Sequence, residues 1–250
     1  KLPSEPLHPT RIMDRPHVIF NKRTQNYVMW MKLVGTVSEP HNWNYQYMGI
    51  ATAKHLTDEF KLVNKIVPLG MSSGDFDLFV DDDGTAYLVF GKVHTEIVVA
   101  DLTPDYLDLT GDYTTHLHFI GPPIAREAPA VFKADDKYYL FTSGTTGYYP
   151  NTTMLAVADG IHGPWYIAGD PFIGDKKHNS FNTQISSVFH DNSGLLIACG
   201  DRWVPDLSLP HEHSSWNINT SHSEYVWLPI TFNDQKLPYI NWIDNWTPEV

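Results

Sequence analysis

Asp14-Arg-Pro-His-Val-Ile-Phe20 followed by Asn26-Tyr-Val-Met-Trp30 reads as two apolar strands around a polar tip, the first opening on an acidic residue. The pattern returns as Asp75-Phe-Asp-Leu-Phe79 with Ala86-Tyr-Leu-Val-Phe90, as Glu127-Ala-Pro-Ala-Val-Phe132 with Lys137-Tyr-Tyr-Leu-Phe141, and as Gln184-Ile-Ser-Ser-Val-Phe189 with Gly194-Leu-Leu-Ile-Ala198. The closing Phe residues recur about every 50 to 60 residues, the period of a β-propeller blade or a similar modular array. In a radial arrangement each opening residue falls at the same end of an innermost strand. One funnel then collects Asp14, Asp75, Glu127 and Gln184.

Outward from these hairpins, a second strand pair is expected in each repeat. It begins at Tyr47-Met-Gly-Ile-Ala-Thr-Ala, at Glu96-Ile-Val-Val-Ala and at Met154-Leu-Ala-Val-Ala. Asp81-Asp-Asp-Gly84, Ala134-Asp-Asp-Lys137 and Asp191-Asn-Ser-Gly194 carry the Asp, Asn and Gly that hairpin tips need. Helical periodicity is absent, so the chain is all-β. Residues 1 to 13, with Pro3, Pro6 and Pro9, read as a connector. The tail from Tyr225-Val-Trp-Leu-Pro-Ile through Ile240-Asn-Trp-Ile-Asp-Asn-Trp246 reads as two strands of a closing blade. Residues 1–250 are therefore expected to form a single propeller domain, and four signatures plus this tail make a five-bladed ring only if one blade comes from upstream.

The chain has 250 residues, 42% hydrophobic and 18% charged, which suits a folded domain with a large core. A net charge of −12 without a Lys/Arg cluster argues against nucleic acid and anionic membranes as partners, and no apolar run reaches membrane-span length. Aromatic residues make up 13%, with eight Trp, and flat aromatic faces suit sugar rings as well as cores. Cys199, the single cysteine, lies in the apolar run Leu195-Leu-Ile-Ala-Cys199 and is not expected to be catalytic. Sequons at Asn151, Asn219 and Asn245 favour a secreted protein, which is taken to be a monomer.

Asp75 and Glu127 are the sharpest chemical pair. Glycoside hydrolysis needs a proton for the leaving oxygen and a negative charge near the developing cation, which two carboxyl groups in one pocket supply. Either residue could instead serve structure: Glu127 in an ion pair with Arg126 or Arg15, Asp75 in the turn after Gly74. No metal or cofactor is expected, with a structural calcium ion left open. Asp81-Asp-Asp-Gly84 lacks the ligand ladder of an EF-hand, and His116-Leu-His118 and His211-Glu-His213 lack a third ligand at defined spacing.

Resemblance to a known family rests on an ordered set of strings: Arg15-Pro-His-Val-Ile-Phe-Asn21, Tyr27-Val-Met-Trp30, Leu78-Phe-Val-Asp-Asp-Asp-Gly84, Arg126-Glu-Ala-Pro-Ala-Val-Phe-Lys133, Tyr138-Tyr-Leu-Phe-Thr-Ser-Gly-Thr-Thr-Gly147, Pro150-Asn151, Phe181-Asn-Thr-Gln184 and Gly200-Asp-Arg-Trp203. Together they resemble glycoside hydrolase family 43, most nearly its galactan 1,3-β-galactosidase (exo-β-1,3-galactanase) branch, over about residues 14 to 246. The resemblance implies a five-bladed propeller, an inverting mechanism and exo-acting release of terminal galactose from β-1,3-galactan. It further implies Glu127 as general acid and Asp75 as the carboxylate that tunes it. The usual base of the family belongs to a first blade with no counterpart here, and Gln184 stands in for it. A carboxamide holds a water better than it deprotonates one.

By the same resemblance Asp14 contacts the terminal sugar, and Thr146, Tyr148, Asn151, Asn182, Asp201 and Trp203 fall in substrate loops, with Tyr148 and Trp203 as stacking platforms. Gly74 stands where relatives often carry Arg, so Asp75 is expected to lose a cation and titrate higher. Glu127 and Gln184 are expected about 6.5 to 9.5 Å apart, leaving room for the attacking water. An α-L-arabinofuranosidase or β-xylosidase of the same family, and a non-catalytic carbohydrate-binding propeller, are the alternatives.

Overall fold

Each quoted hairpin forms where the alternation and the turn chemistry put it. The computed structural model describes residues 7–9, 11–36, 38–39, 42–43, 45–204 and 220–247; Pro3, Pro6, His211, His213 and Asn219 lie outside them. The first sheet is β1 (Ile12–Asn21), β2 (Asn26–Val34), β3 (Gln46–Ala53) and β4 (Lys61–Ile66), antiparallel and in chain order. The second is β5 (Ser73–Val80), β6 (Ala86–Lys92), β7 (Glu96–Leu102) and β8 (Leu109–His116), and the third is β9 (Arg126–Ala134), β10 (Lys137–Gly144), β11 (Met154–Ala158) and β12 (Tyr166–Gly169). Asp135 and Asp136, both at positive φ (49° and 60°), make the tight β9–β10 turn.

The short β13 (Phe172–Ile173) leads to β14 (Gln184–His190), β15 (Leu196–Arg202), β16 (Glu224–Pro229), β17 (Thr231–Phe232) and β18 (Pro238–Asn241). Of the tail strands, β16 departs from the expectation of a separate closing blade by joining β14 and β15, whereas β17 and β18 form a three-stranded sheet with β13, which runs parallel to β18. β16 pairs with β15, Ile230 donates to the Leu196 carbonyl at 2.8 Å as the chain runs into β17, and β18 returns against β17. The tail thus packs onto the fourth sheet, because Leu228, Ile230 and Ile240 have their apolar partners in the core between the third and fourth sheets.

Sheets pack face to face in sequence order. Val28, Trp30 and Ile50 of the first meet Phe76, Leu88 and Phe90 of the second. Val89, Ile97 and Val99 on the other face of the second meet Val131 and Leu140 of the third. Coverage on both faces explains why Ala86-Tyr-Leu-Val-Phe90 is apolar throughout rather than alternating. Truncating a buried Leu such as Leu88 in this packing costs about 2 to 5 kcal/mol.

The first strands of the units lie innermost: β5 runs beside β1 and β9, and β9 beside β14. Between β14 and β1 the packing thins to side-chain contacts, chiefly Arg15 with Gln184 and Asp201.

Candidate active site

A bulge sits beside the opening residue of every inner strand. The pairing register slips between Asp14 and His17 in β1, between Ser73 and Phe76 in β5, opposite Glu127 to Ala130 in β9, and between Ile185 and Ser187 in β14. Arg15 and Ala128 sit at positive φ, 47° and 46°, within two of these bulges. An extra residue bends the strand and re-aims its side chains. Asp14, Asp75, Glu127 and Gln184 accordingly line one cavity of about 800 Å³, together with Tyr148, Asp201 and Trp203.

Asp75 is held by two cations. Arg15 Nε lies 2.9 Å and Lys32 Nζ 3.5 Å from its Oδ1. Burial works to raise its pKa, but the Arg15 and Lys32 charges and hydrogen bonds hold it below the usual carboxylate range. The expectation that Gly74 leaves Asp75 without a cation is therefore overturned: the charge comes from β1 and β2 instead of from the preceding residue. Glu127 is the opposite case. Burial, then the Asp75 charge, push it up to about 8, outweighing Arg15, Lys32 and the Gln184 hydrogen bond. One carboxyl is thus kept protonated at neutral pH beside another kept ionised, the division of labour that acid-assisted bond cleavage needs.

Neither ion pair considered for Glu127 forms. Arg126 donates instead to Thr142 Oγ1 at 3.1 Å and to the Thr142 carbonyl at 2.6 Å, and Arg15 spends its Nε on Asp75.

Gln184 is saturated. Its Oε1 accepts from Arg15 Nη2 at 2.6 Å and Trp203 Nε1 at 3.2 Å; its Nε2 donates to Ser143 Oγ at 2.8 Å and Glu127 Oε1 at 3.2 Å. Arg and Trp N–H groups only donate, so this orientation of the amide is fixed by chemistry. The separation expected from an inverting pair is not found. Arg15 and Trp203 draw the oxygen to one side, which turns the amide nitrogen directly onto Glu127. A protonated Glu127 that accepts at Oε1 carries its proton on Oε2.

The remaining residues divide. Tyr148 and Trp203 meet edge to face with ring centroids 5.4 Å apart, a corner in the cavity wall. Asp14 and Asp201 face the cavity, each with a pKa raised first by burial and also by Asp75. Thr146, Asn151 and Asn182 are not among the lining residues. Asn151 clamps the Gly144 amide (2.7 Å) and carbonyl (3.0 Å) and Thr146 Oγ1 (2.8 Å), while Asn182 Oδ1 accepts from Asn179 at 2.7 Å in a short turn. These bonds lie within the loops that carry the three residues.

Sequence reading missed Arg15 as the hub, and it missed Lys32, Ser143 and Trp43. Lys32 had a visible signal, a single charge within the otherwise apolar Tyr27-Val-Met-Trp-Met-Lys-Leu-Val34.

Among the described residues there is no group of three or more His, Cys, Asp or Glu side chains arranged to hold a metal ion. The Asp81-Asp-Asp-Gly84 tip is tied down by Lys133, at 2.7 Å from Asp81 and 2.8 Å from Asp82, and by the Tyr138 hydroxyl. Cys199 is pushed up to about 11 by burial, an inert thiol.

Residues 20–222 match the sequence profile described as Glycosyl hydrolases family 43. A curated relative, the β-D-galactofuranosidase xynD of Aspergillus niger, is 30% identical over 152 residues, 60% of this chain and 43% of its own length. Among solved structures, a family 43 β-1,3-galactosidase with galactodeoxynojirimycin superposes with a TM-score of 0.80 at 26% identity, over 97% of this chain and 79% of the other. The exo-β-1,3-galactanase of Phanerochaete chrysosporium with galactose gives 0.75 at 27%, over 92% and 49%. The chain thus spans less than half the length of the Aspergillus and Phanerochaete proteins.

Proposed function

From a chain that belongs to glycosyl hydrolases family 43, we infer an inverting, exo-acting glycosidase that removes terminal galactose from β-1,3-galactan. The observation that carries this reading is the pairing of Glu127, raised to about 8, with an ionised Asp75 in one cavity. The β-1,3-galactosidase and exo-β-1,3-galactanase among its structural neighbours support galactose as the sugar.

Glu127 gives the proton on Oε2 to the glycosidic oxygen as the bond to the anomeric carbon breaks, and the bonding pair leaves with that oxygen. Asp75 faces the cationic ring. Water attacks from the opposite face, held at the Gln184 carbonyl once the sugar has entered between Gln184 and Glu127, opening their 3.2 Å contact, and Arg15 or Trp203 has released the oxygen. A carboxamide does not keep a proton, so the water passes its own to a cavity carboxylate. Asp201, the cross-strand partner of Gln184, lines the same cavity and is assigned this role. Tyr148 and Trp203 stack on the sugar, and Asp14 takes its hydroxyls.

The architecture that suits this chemistry is a five-bladed ring. The fourth sheet exposes Phe189, Tyr225 and Trp227 on the face away from the third sheet, and the thin packing between β14 and β1 is where a further blade fits. Residues 1–250 are taken as one propeller domain, and the protein as a secreted monomer that acts on polysaccharide or oligosaccharide.

Reducing-sugar release from β-1,3-galactan, arabinan and xylan, with proton NMR of the first product, tests the reading. α-Galactose from galactan is expected. Arabinose or xylose as the released sugar overturns the substrate, and β-galactose overturns inversion. A Glu127→Gln variant as active as wild type removes the acid assignment.

A further inference from the structure

Lys32 is buried, 6% exposed, yet its ammonium lines the cavity. Burying an ammonium is costly unless its donors are satisfied. The hydrogen bond it makes is long, 3.5 Å to Asp75 Oδ1, and that oxygen already takes Arg15 Nε at 2.9 Å. On its other side the charge sits 5.1 Å from the ring centroid of Trp43, an indole 48% exposed that lines the same cavity. An ammonium has three donors, and a π face and a shared carboxylate oxygen leave donor capacity directed at the cavity. Directly across the β1–β2 pairing from Lys32 is Asp14, an acceptor lining the same space.

We infer that Lys32 is a substrate-contacting, specificity-determining residue which, with Asp14 as its acceptor counterpart, grips two neighbouring hydroxyls of the terminal sugar. A vicinal diol fits a donor beside an acceptor: one hydroxyl oxygen accepts from the ammonium, and the next hydroxyl donates to the carboxylate. Trp43 covers the ammonium from the open side and raises the strength of that bond by excluding water. Lys32 belongs to no quoted motif, and the role described for it above is confined to the charge of Asp75 and Glu127. The inference rests on the glycosidase reading for its ligand class, a neutral sugar with adjacent hydroxyls.

The test is calorimetry on the full chain with galactose, L-arabinose and D-xylose, and with the monodeoxy forms of each sugar that binds, comparing wild type with Lys32→Met. Loss of a charge-assisted hydrogen bond is expected to weaken the sugar about 10- to 100-fold. Wild type is expected to lose a similar factor for one particular deoxy sugar, to which Lys32→Met is indifferent. Asp14→Asn is expected to give the same signature for the adjacent hydroxyl, and Lys32→Gln, which keeps an N–H donor without the charge, carries the test of Lys32 if Lys32→Met does not fold, with a smaller loss expected for the same deoxy sugar. Equal penalties for every deoxy sugar in wild type and variants, or no monosaccharide bound by wild type, overturn the assignment. Hydrolysis is scored separately. A positive cycle on arabinose with no galactose released from galactan overturns the galactan reading alone, and galactan hydrolysis with no deoxy-sugar signature overturns the Lys32 role alone.

Discussion

Arg15 Nη2 donates to Gln184 Oε1 at 2.6 Å, and this bond spans β1 and β14, the two inner strands that hardly pack on one another. The same guanidinium meets Asp75 at 2.9 Å and Asp201 at 3.7 Å, so a single side chain from the first sheet sets the charge of the second and the orientation of the fourth.

Arg15→Met is expected to destabilise the fold by about 3 to 5 kcal/mol, because it strands a buried carboxylate whose remaining cation is at the longer distance. Urea unfolding measures this. Protonating Asp75 relieves the stranded charge, so the deficit is expected to shrink between neutral pH and about pH 4. A deficit that does not change with pH refutes the electrostatic account.

The proton donor must be protonated to work, which puts the alkaline limb of kcat/KM at the pKa of Glu127, about 8 in the free protein. Asp75 raises that value by its charge, while Arg15 and Lys32 lower it. Asp75→Asn removes the first effect and frees both cations to act on Glu127. The limb is therefore expected to move to lower pH, along with a loss of rate. A pH–rate profile checks it, and a limb that stays put or moves up contradicts the coupling.

Stability should carry the same signature. The Glu127 carboxyl holds its proton more tightly in the folded state than at its ordinary value of 4.5, so its contribution is complete below that pH and is lost as pH rises through about 8. Glu127→Gln has no proton to lose. Its melting temperature, relative to wild type, is expected to climb between pH 5 and pH 9 and to level off outside that window. A constant difference across the range would show that burial of Glu127 has no such effect.

The four openings Asp14, Asp75, Glu127 and Gln184 were legible because chain repetition places equivalent residues at equivalent bulges, and a bulge needs only local sequence. The strands were legible for the same reason, from alternation and turn residues. What failed was tertiary. Whether Arg15 pairs with Glu127 or with Asp75 depends on which neighbouring sheet its guanidinium reaches, and spacing along the chain does not encode that. Thr146, Asn151 and Asn182 lie close in sequence to cavity residues, but polar side chains in loops commonly satisfy nearby backbone first. The tail segments are strands, as their pattern indicates, but that pattern does not tell that β16 joins the fourth sheet, since an edge pairing partner is chosen by the apolar face it covers.

Gln184→Glu is nearly isosteric and probes what the amide does. Wild-type Nε2 donates to Glu127 Oε1 and thereby leaves the acid proton on Oε2, the oxygen free to face a leaving group. Arg15 and Trp203 would hold one oxygen of the new carboxylate where Oε1 is now, and the other would replace the donor with an acceptor. Glu127 would then turn its proton towards Oε1 to make that bond, and the added negative charge would raise its pKa further. Two changes are expected together: kcat falls by about 100-fold, the scale of losing one oriented hydrogen-bonding group at a reacting centre, and the alkaline limb shifts upward. Measured kcat at several pH values separates them. Full kcat with a shifted limb would mean that Gln184 does not decide which oxygen holds the proton, and full kcat with an unshifted limb would mean that it is not electrically coupled to Glu127 at all.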